Sequence, residues 1–541
     1  MSHGSYDAIV IGGGHNGLAA GAYLARSGMS TIVLEARSKV GGAAATDAPW
    51  PDAPDFKVTT YSYVVSLMPE RIVSDLKLAR HGYKVYPMGP YYVAFPDGSA
   101  LTLGSEDPQA DHDSIARFSK RDADAYPKWR AWMGGIAEVL TPLLMSTPPK
   151  VGSKRPRDLF AQARLAWRMR GLDTKGVGDV TRLMSMSISD LLDEWFESTQ
   201  IKATLAVDGI IGTWAGPMSP GTAYVLAHHE IGDAGGGLGS WGYPEGGMGA
   251  VSEALRRAAE SFGATVRTGA RVSRILTGDG RALGVVLDDG TELSANVIVA
   301  TTHPHITFLD QLAPSDLPDE FVGAIERFRT RSGTVKINLA LAELPSFTAD
   351  PGSEPQVHHG GAIELAHSVE YIERAFQDAR EGRAAVRPFS DGVIPTVFDR
   401  TLCPEGYHIM SLFTQWVPHT FSRTPERAEL EAYADRVIDG YTELAPNFKG
   451  AILNRQVLGP YDMEQELGLI GGNIFHGELS VDQLFHMRPA PGWADYRTPV
   501  AGLYQASSAT HAGGGVCAIP AFNCVREILR DRRRGRLLRR G

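Results

Sequence analysis

Cysteine is scarce. Only Cys403, Cys517 and Cys524 occur in 541 residues. None forms a Cys-x-x-Cys pair or stands at metal-ligand spacing, which argues against a disulfide framework, a dithiol redox centre and a metal site, and fits a reducing compartment. Also missing is any uninterrupted apolar run of about eighteen residues, the length a spanning helix needs. Positive charge is not in excess: 53 Lys and Arg stand against 62 Asp and Glu, a net charge of −9, so no nucleic-acid partner is expected. Only a few polar residues precede the first apolar run, so no signal peptide is expected and a cytoplasmic protein is. His228 and His229 have no acidic or cysteine partner at metal-ligand spacing and read as structural or surface residues.

What is present begins at residues 6–42, YDAIVIGGGHNGLAAGAYLARSGMSTIVLEARSKVGG. Ala8 to Ile11 is a short apolar strand, Gly12-Gly13-Gly14-His15-Asn16-Gly17 a turn, Leu18 to Ser27 a helix and Thr31 to Leu34 a second strand ending at Glu35. This is a nucleotide-binding βαβ unit. Gly12 permits the turn, Gly14 lets a pyrophosphate approach the backbone, and Gly17 lets the helix lie close on the sheet. Phosphates then meet the unpaired N–H groups of the helix N-terminus. Glu35 stands where a carboxylate accepts ribose hydroxyls and disfavours a 2′-phosphate, which favours FAD or NAD over NADP. Gly41-Gly42, shortly after the second strand, is a second close backbone approach and tips the reading to FAD.

At 541 residues and 43% hydrophobic content, two domains are expected. Tyr61 to Tyr63 and Tyr91 to Phe95 look like short aromatic strands, and Ser114 to about Leu205 like a helical lid with a break at Pro148 to Arg157. Residues 206–247 carry too much glycine for a stable helix or strand. From Gly246 a helix, further strands and a hairpin around Asp288-Asp289-Gly290 lead to the apolar strand Val297 to Ala300, which returns the chain to the first sheet. Thr334 to Leu341 is a strand with Lys336 at its centre, read as a solvated edge position or as a lysine near the flavin. His408 to Thr414 is another strand, and helices lie near Ala366 to Glu381 and Arg427 to Leu444. Residues 499–530 give a strand, the turn Gly513-Gly514-Gly515 and a helix from about Pro520, a second helix N-terminus facing a ring edge or a phosphate. After Ile528 the chain carries Arg530, Arg532, Arg533, Arg534, Arg536, Arg539 and Arg540, which read as a solvated end or as a contact with an anionic membrane.

The expected architecture is α/β: a discontinuous Rossmann-type FAD-binding domain from 1–60, 245–304 and 495–541, and an α+β substrate domain with a helical lid from 61–244 and 305–494. Three stretches carry a resemblance over essentially the whole chain: IVIGGGHNGLAAGAYLARSG with VLEARSKVGGAA, then EGGMGAVSEALRRAAESFGATVRTGARVSRI, and GLYQASSATHAGGGV. The sequence resembles the phytoene desaturase superfamily of FAD-dependent oxidoreductases, in the branch that holds the desaturase-like beta-carotene ketolases. The resemblance implies a lipophilic, carotenoid or isoprenoid substrate and frequent membrane association. It places Gly12, Gly14, His15, Asn16 and Gly17 at the pyrophosphate, Glu35 at the ribose and Gly41 and Gly42 on the flavin side, with Ala36 and Ala43 also among the cofactor-binding residues. Val272 then meets the adenine through its backbone, and His511, Gly513, Gly514, Gly515 and Val516 the isoalloxazine end. Ala43 stands where carotene desaturases usually have Arg, and Phe522 where Arg is common, so the wall near the flavin is expected to be more apolar.

Three functions follow as alternatives: a dehydrogenase or desaturase of a lipophilic compound by hydride transfer to flavin, an oxygen-using oxidase or ketolase acting on a similar compound or an amine, and a flavin-binding scaffold. His511 and Lys336 are the candidate catalytic residues. A homo-oligomer is left open.

Overall fold

A computed structural model describes residues 4–352, 354–423 and 426–535. The first strand, Gly4–Ile11, lies parallel between Thr31–Leu34 and Glu292–Ala300, with Thr265–Arg267 beyond Thr31–Leu34. The outer side of Glu292–Ala300 is shared. Its first half pairs antiparallel with Arg281–Leu287 and its second half parallel with Leu503–Gln505, so three distant segments close one sheet. Ala8 to Ile11 and Thr31 to Leu34 are buried throughout, as strands covered on both faces must be. Helices His15–Arg26, Met248–Ser261 and Ile519–Arg533 pack together on one face through Leu18, Ala22, Val251, Leu255, Phe522 and Val525. Gly17 makes that packing close: a Cβ there would lie 1.8 Å from the carbonyl oxygen of Gly12.

A second sheet has seven strands in the order Ile452–Leu458, Thr334–Leu341, His408–Gln415, Phe389–Val393, Ala362–Leu365, Tyr91–Ala94, Ala100–Leu103. All neighbours are antiparallel except Ala362–Leu365 with Tyr91–Ala94. Helix Arg427–Leu444 covers one face, where the Tyr441 hydroxyl donates to the Ile363 carbonyl at 2.8 Å and contacts Ser390 Oγ at 3.1 Å. The other face looks toward the cavity described below. Helices between Pro108 and Val207 form the lid, broken between Leu144 and Pro156.

Two sequence expectations change here. Tyr61 to Tyr63 is irregular rather than a strand. The segment 206–247 does hold a helix, Thr222–Glu230, and the short strand Gly242–Pro244. The glycines flank the helix: TAYVLAHHE contains none and follows Gly221, whose φ of +87° ends the preceding turn. His228 and His229 lie on that helix and are buried, not at the surface. No helix among the described residues is long and apolar enough to cross a membrane. The arginine tail is described only to residue 535, with Arg530 paired to Glu527; Arg536, Arg539 and Arg540 lie outside the described residues.

Candidate functional site

The glycine turn is held from two directions. Gly13 N–H donates to Glu35 Oε2 at 2.7 Å, and Arg37 N–H donates to Glu35 Oε1 at 2.8 Å. These bonds fix the carboxylate, and its remaining lone pairs stay free to accept hydroxyls. Gly41 N–H donates to the Gly13 carbonyl at 2.9 Å, and Gly14 bridges Gly41, so the Gly-Gly pair is laced directly onto the turn. Gly41 needs its φ of +122°, and a Cβ there would meet the Ala44 carbonyl oxygen at 2.5 Å. Around Gly14, by contrast, a Cβ would find nothing nearer than 3.9 Å, which leaves an open cradle over the helix N-terminus. Asn16 Nδ2 donates to Ser508 Oγ at 3.1 Å and ties this helix to the C-terminal strand and turn. Asn16 Oδ1 and His15 Nε2 are buried with no hydrogen-bond partner.

These groups line one cavity of about 470 Å³, within the size range of ligand sites. At one end stand Ala36 and Val272, whose carbonyl accepts from Gln311 Nε2 at 2.9 Å. Gly12, Gly14, His15, Asn16 and Glu35 follow, then Gly41, Gly42 and Ala43, and Gly515 with Val516. The open cradle, the two orphaned polar atoms and the placed carboxylate fit an extended dinucleotide carrying a flavin. Gly17, Gly513 and Gly514 do not line the cavity; Gly514 packs so that a Cβ would come 2.8 Å from Phe475.

Past the flavin end the same cavity continues between Tyr61, Tyr63, Ile211, Trp241, Phe413 and Phe475. Tyr63 stacks on Phe413 with ring centroids 5.8 Å apart and donates from its hydroxyl to Asp391 Oδ2 at 2.8 Å. Tyr61 bonds Glu466. His229 lines the cavity and meets the Val225 carbonyl through Nδ1 at 2.8 Å, while burial pushes its pKa down to about 4.

Lys336 is not at a solvated edge. It is 0% exposed, in a strand flanked on both sides by pairing partners. Its Nζ donates to Asn338 Oδ1 at 2.7 Å and to Ser411 Oγ, and lies 5.9 Å from the Tyr63 ring centroid. Burial pulls the ammonium down to about 7, opposed by the Asp391 carboxyl. His511 is also buried, with its pKa pushed down by burial to about 4. Its Nε2 meets the Leu143 carbonyl of the lid at 3.0 Å, and the residue does not line the cavity. The geometry therefore brings Lys336 close to the aromatic chamber and turns the His511 ring toward the lid.

Sequence reasoning singled out the Tyr61 to Tyr63 stretch but passed over Trp241, Glu364 and Asp391. The last two carried a signal of the same kind as Lys336: an ionisable residue inside a β-run, AIEL and FSDGV.

Residues 10–69 match the family described as NAD(P)-binding Rossmann-like domain, and residues 188–355 the family described as flavin containing amine oxidoreductase. Pyridine nucleotide-disulfide oxidoreductase domain-containing protein 2 of Rattus norvegicus is 39% identical over 97% of this chain and 94% of its own length. A limonene dehydrogenase component of Castellaniella defragrans is 26% identical over 97% of this chain and 94% of its own. Among solved structures, a triple mutant of putrescine oxidase has a TM-score of 0.60 at 14% identity, covering 98% of this chain and 100% of that one, a likeness of fold.

Proposed function

From the premise that this chain belongs to the family of FAD-dependent oxidoreductases that includes pyridine nucleotide-disulfide oxidoreductase domain-containing protein 2, we propose that it oxidises a lipophilic substrate by hydride transfer to flavin. The chain binds FAD. The observation that carries the reading is the continuity of the cavity, in which a dinucleotide cradle opens without a break into an aromatic chamber. Bound FAD supplies the hydride acceptor. The residues of this chain do the rest. Tyr63, Phe413 and Trp241 give an apolar wall that orients a carbon skeleton and excludes water. Lys336 holds or moves a proton at Nζ, while His511 is a positioning residue between the C-terminal turn and the lid.

Two relatives frame the choice of chemistry. One is named for dehydrogenation of limonene, a hydrocarbon, and a protein of the same fold for oxidation of putrescine, an amine. A desaturase-like dehydrogenase is the first reading; an oxygen-using oxidase or ketolase is the second. We further propose peripheral attachment to anionic membrane through residues 530–541, on the strength of the arginine tail. Anaerobic mixing of the FAD-loaded protein with lipophilic alkenes, alcohols and amines tests the central reading. Bleaching of the flavin by one class supports it, and a flavin untouched by all of them favours a binding scaffold. Readmission of air then separates the two enzymes, because rapid recovery with hydrogen peroxide marks an oxidase.

A further inference from the structure

In the loop after Ile470–Gly472, the three residues Phe475, His476 and Gly477 have every backbone group bonded. The N–H groups of Phe475 and Gly477 donate to Asn473 Oδ1, each at 3.0 Å, and that of His476 donates to the Asn473 carbonyl at 3.0 Å. The carbonyls of Phe475 and Gly477 accept from Arg488 Nη2 at 2.7 and 3.3 Å. The His476 carbonyl accepts from His303 Nε2 at 3.2 Å, since His303 Nδ1 is already the acceptor for the His305 N–H. What the turn leaves over is one side chain. His476 stands at a φ of +55°, in the left-handed region; its ring lines the main cavity, and its Nδ1 is buried without a partner. Surrounding bonds of this number hold a backbone conformation that a histidine seldom adopts.

Behind the turn lies a cation. Arg488 is 1% exposed, and besides the carbonyls of Phe475 and Gly477 it donates to those of Glu478, Gln483 and Ser508 at 3.2, 3.4 and 3.1 Å. Its guanidinium also lies 5.4 Å from the Phe328 ring centroid, and its Nε has no partner. No carboxylate among the described residues pairs with it. The Glu478 carboxylate is taken by Arg329 and Arg331, at 3.3 and 2.7 Å. His228, His303, His476 and His511 surround Arg488, but burial first, and then this positive charge among other causes, lowers the pKa of each ring. Bracing of carbonyls needs no charge: the neutral Gln483 amide holds the Arg329 carbonyl at 3.1 Å. A buried cation without an ion partner is unfavourable for the fold by itself.

The cofactor cavity lies one residue away. Ser508, whose carbonyl Arg488 holds, accepts from Asn16 Nδ2 at 3.1 Å through its Oγ, and both residues line the cavity. His15 lines it too, with Nε2 unpartnered, and its pressure on the His476 ring places the two imidazoles close together. We propose that the 473–477 turn and Arg488 form a second arm of the dinucleotide cradle, in which His476 donates to the diphosphate and Arg488 is a positioning residue whose charge offsets that of the dianion. A diphosphate supplies what this wall lacks, acceptors for an unpartnered imidazole and negative charge for an unpaired guanidinium. The inference rests on the reading of the cavity as an FAD site, and it adds a segment far from the glycine turn to that site.

The test uses the full chain before reconstitution with FAD, titrated by calorimetry with ADP, which carries the diphosphate, and with adenosine, which lacks it. The wild-type chain is expected to prefer ADP at least about tenfold. His476→Gly suits the left-handed backbone and should lose about tenfold in ADP and FAD affinity, as for a hydrogen bond to a charged group, with adenosine affinity unchanged. Arg488→Lys keeps the charge and should keep most of the ADP preference, whereas Arg488→Met should lose most of it. Equal loss in the Lys and Met variants, or equal loss of ADP and adenosine binding, marks a mere brace and overturns the proposal. ADP binding unchanged by His476→Gly also overturns it, and this variant decides alone if Arg488→Met does not fold. A chain with the expected ADP preferences that takes up no FAD counts against the flavoenzyme reading alone. Uptake of FAD equally by wild type and His476→Gly counts against this inference alone.

Discussion

At residues 14 and 17, two glycines of one turn have opposite surroundings. Gly17 has no room, with the Gly12 carbonyl oxygen 1.8 Å from a built Cβ, whereas Gly14 has open space and ordinary extended backbone. Gly17→Ala should lift the first helix from the sheet, lowering stability by about 1–3 kcal/mol and losing FAD. Gly14→Ala should melt like wild type yet bind FAD at least about tenfold more weakly, because its methyl group occupies the space a pyrophosphate needs. Melting curves beside flavin content check both; equal behaviour of the two variants would contradict the assignment of that space.

Lys336 titrates near the working range. With its pKa pulled to about 7 by burial, a neutral amine is available in neutral solution. Lys336→Met is expected to slow flavin reduction on the order of a hundredfold and to remove the limb of the pH profile near 7. The stability sign follows from the same shift. The folded lysine has the lower pKa, so the unfolded chain binds more protons between about 7 and 10.5 and stability rises with pH across that window. Denaturant midpoints measured over that range should rise for the wild-type protein and stay flat for Lys336→Met.

At the scale of elements, legibility in the sequence tracked distance along the chain. The N-terminal βαβ unit was readable because the residues 12–17, 35 and 41–42 that make it are neighbours in sequence and each has a fixed task. The hairpin around Asp288-Asp289-Gly290 was readable for the same reason, as was the return of Val297 to Ala300 to the first sheet. The row Glu364, Asp391, Phe413 and Lys336 was not, because its members come from four strands whose pairing only the tertiary fold decides. Lys336 drew notice, but its burial did not follow from the pattern: an alternating strand looks alike at an edge and at the centre. His511 stood out by its motif, yet the partner of its ring, Leu143, lies 368 positions away. Helix Arg427–Leu444, which covers the far face of the second sheet, gives an element-scale control. Tyr441→Phe removes the bonds to the Ile363 carbonyl and Ser390 and should cost about 1–2 kcal/mol without touching FAD affinity, as equilibrium unfolding and flavin titration would show.

Across the whole molecule, the two sheets share one cavity, and the last described helix is held by ion pairs. Arg497 binds Glu527 at 2.9 Å and Asp531 at 2.7 Å, so Ile519–Arg533 is secured before the final residues. Removing residues 536–541 therefore leaves that network intact while deleting Arg536, Arg539 and Arg540. Each basic residue near an anionic surface contributes about 1 kcal/mol, so the shortened chain should sediment far less with phosphatidylserine vesicles than the full chain. Unchanged sedimentation would locate any membrane contact elsewhere.

The measurement that bears most directly on the account is the flavin content of the purified full chain, read from its visible absorbance after reconstitution with FAD and again after anaerobic exposure to a lipophilic substrate panel. The account predicts one FAD per chain and bleaching by at least one apolar compound. A chain that takes up no FAD would contradict it at its centre.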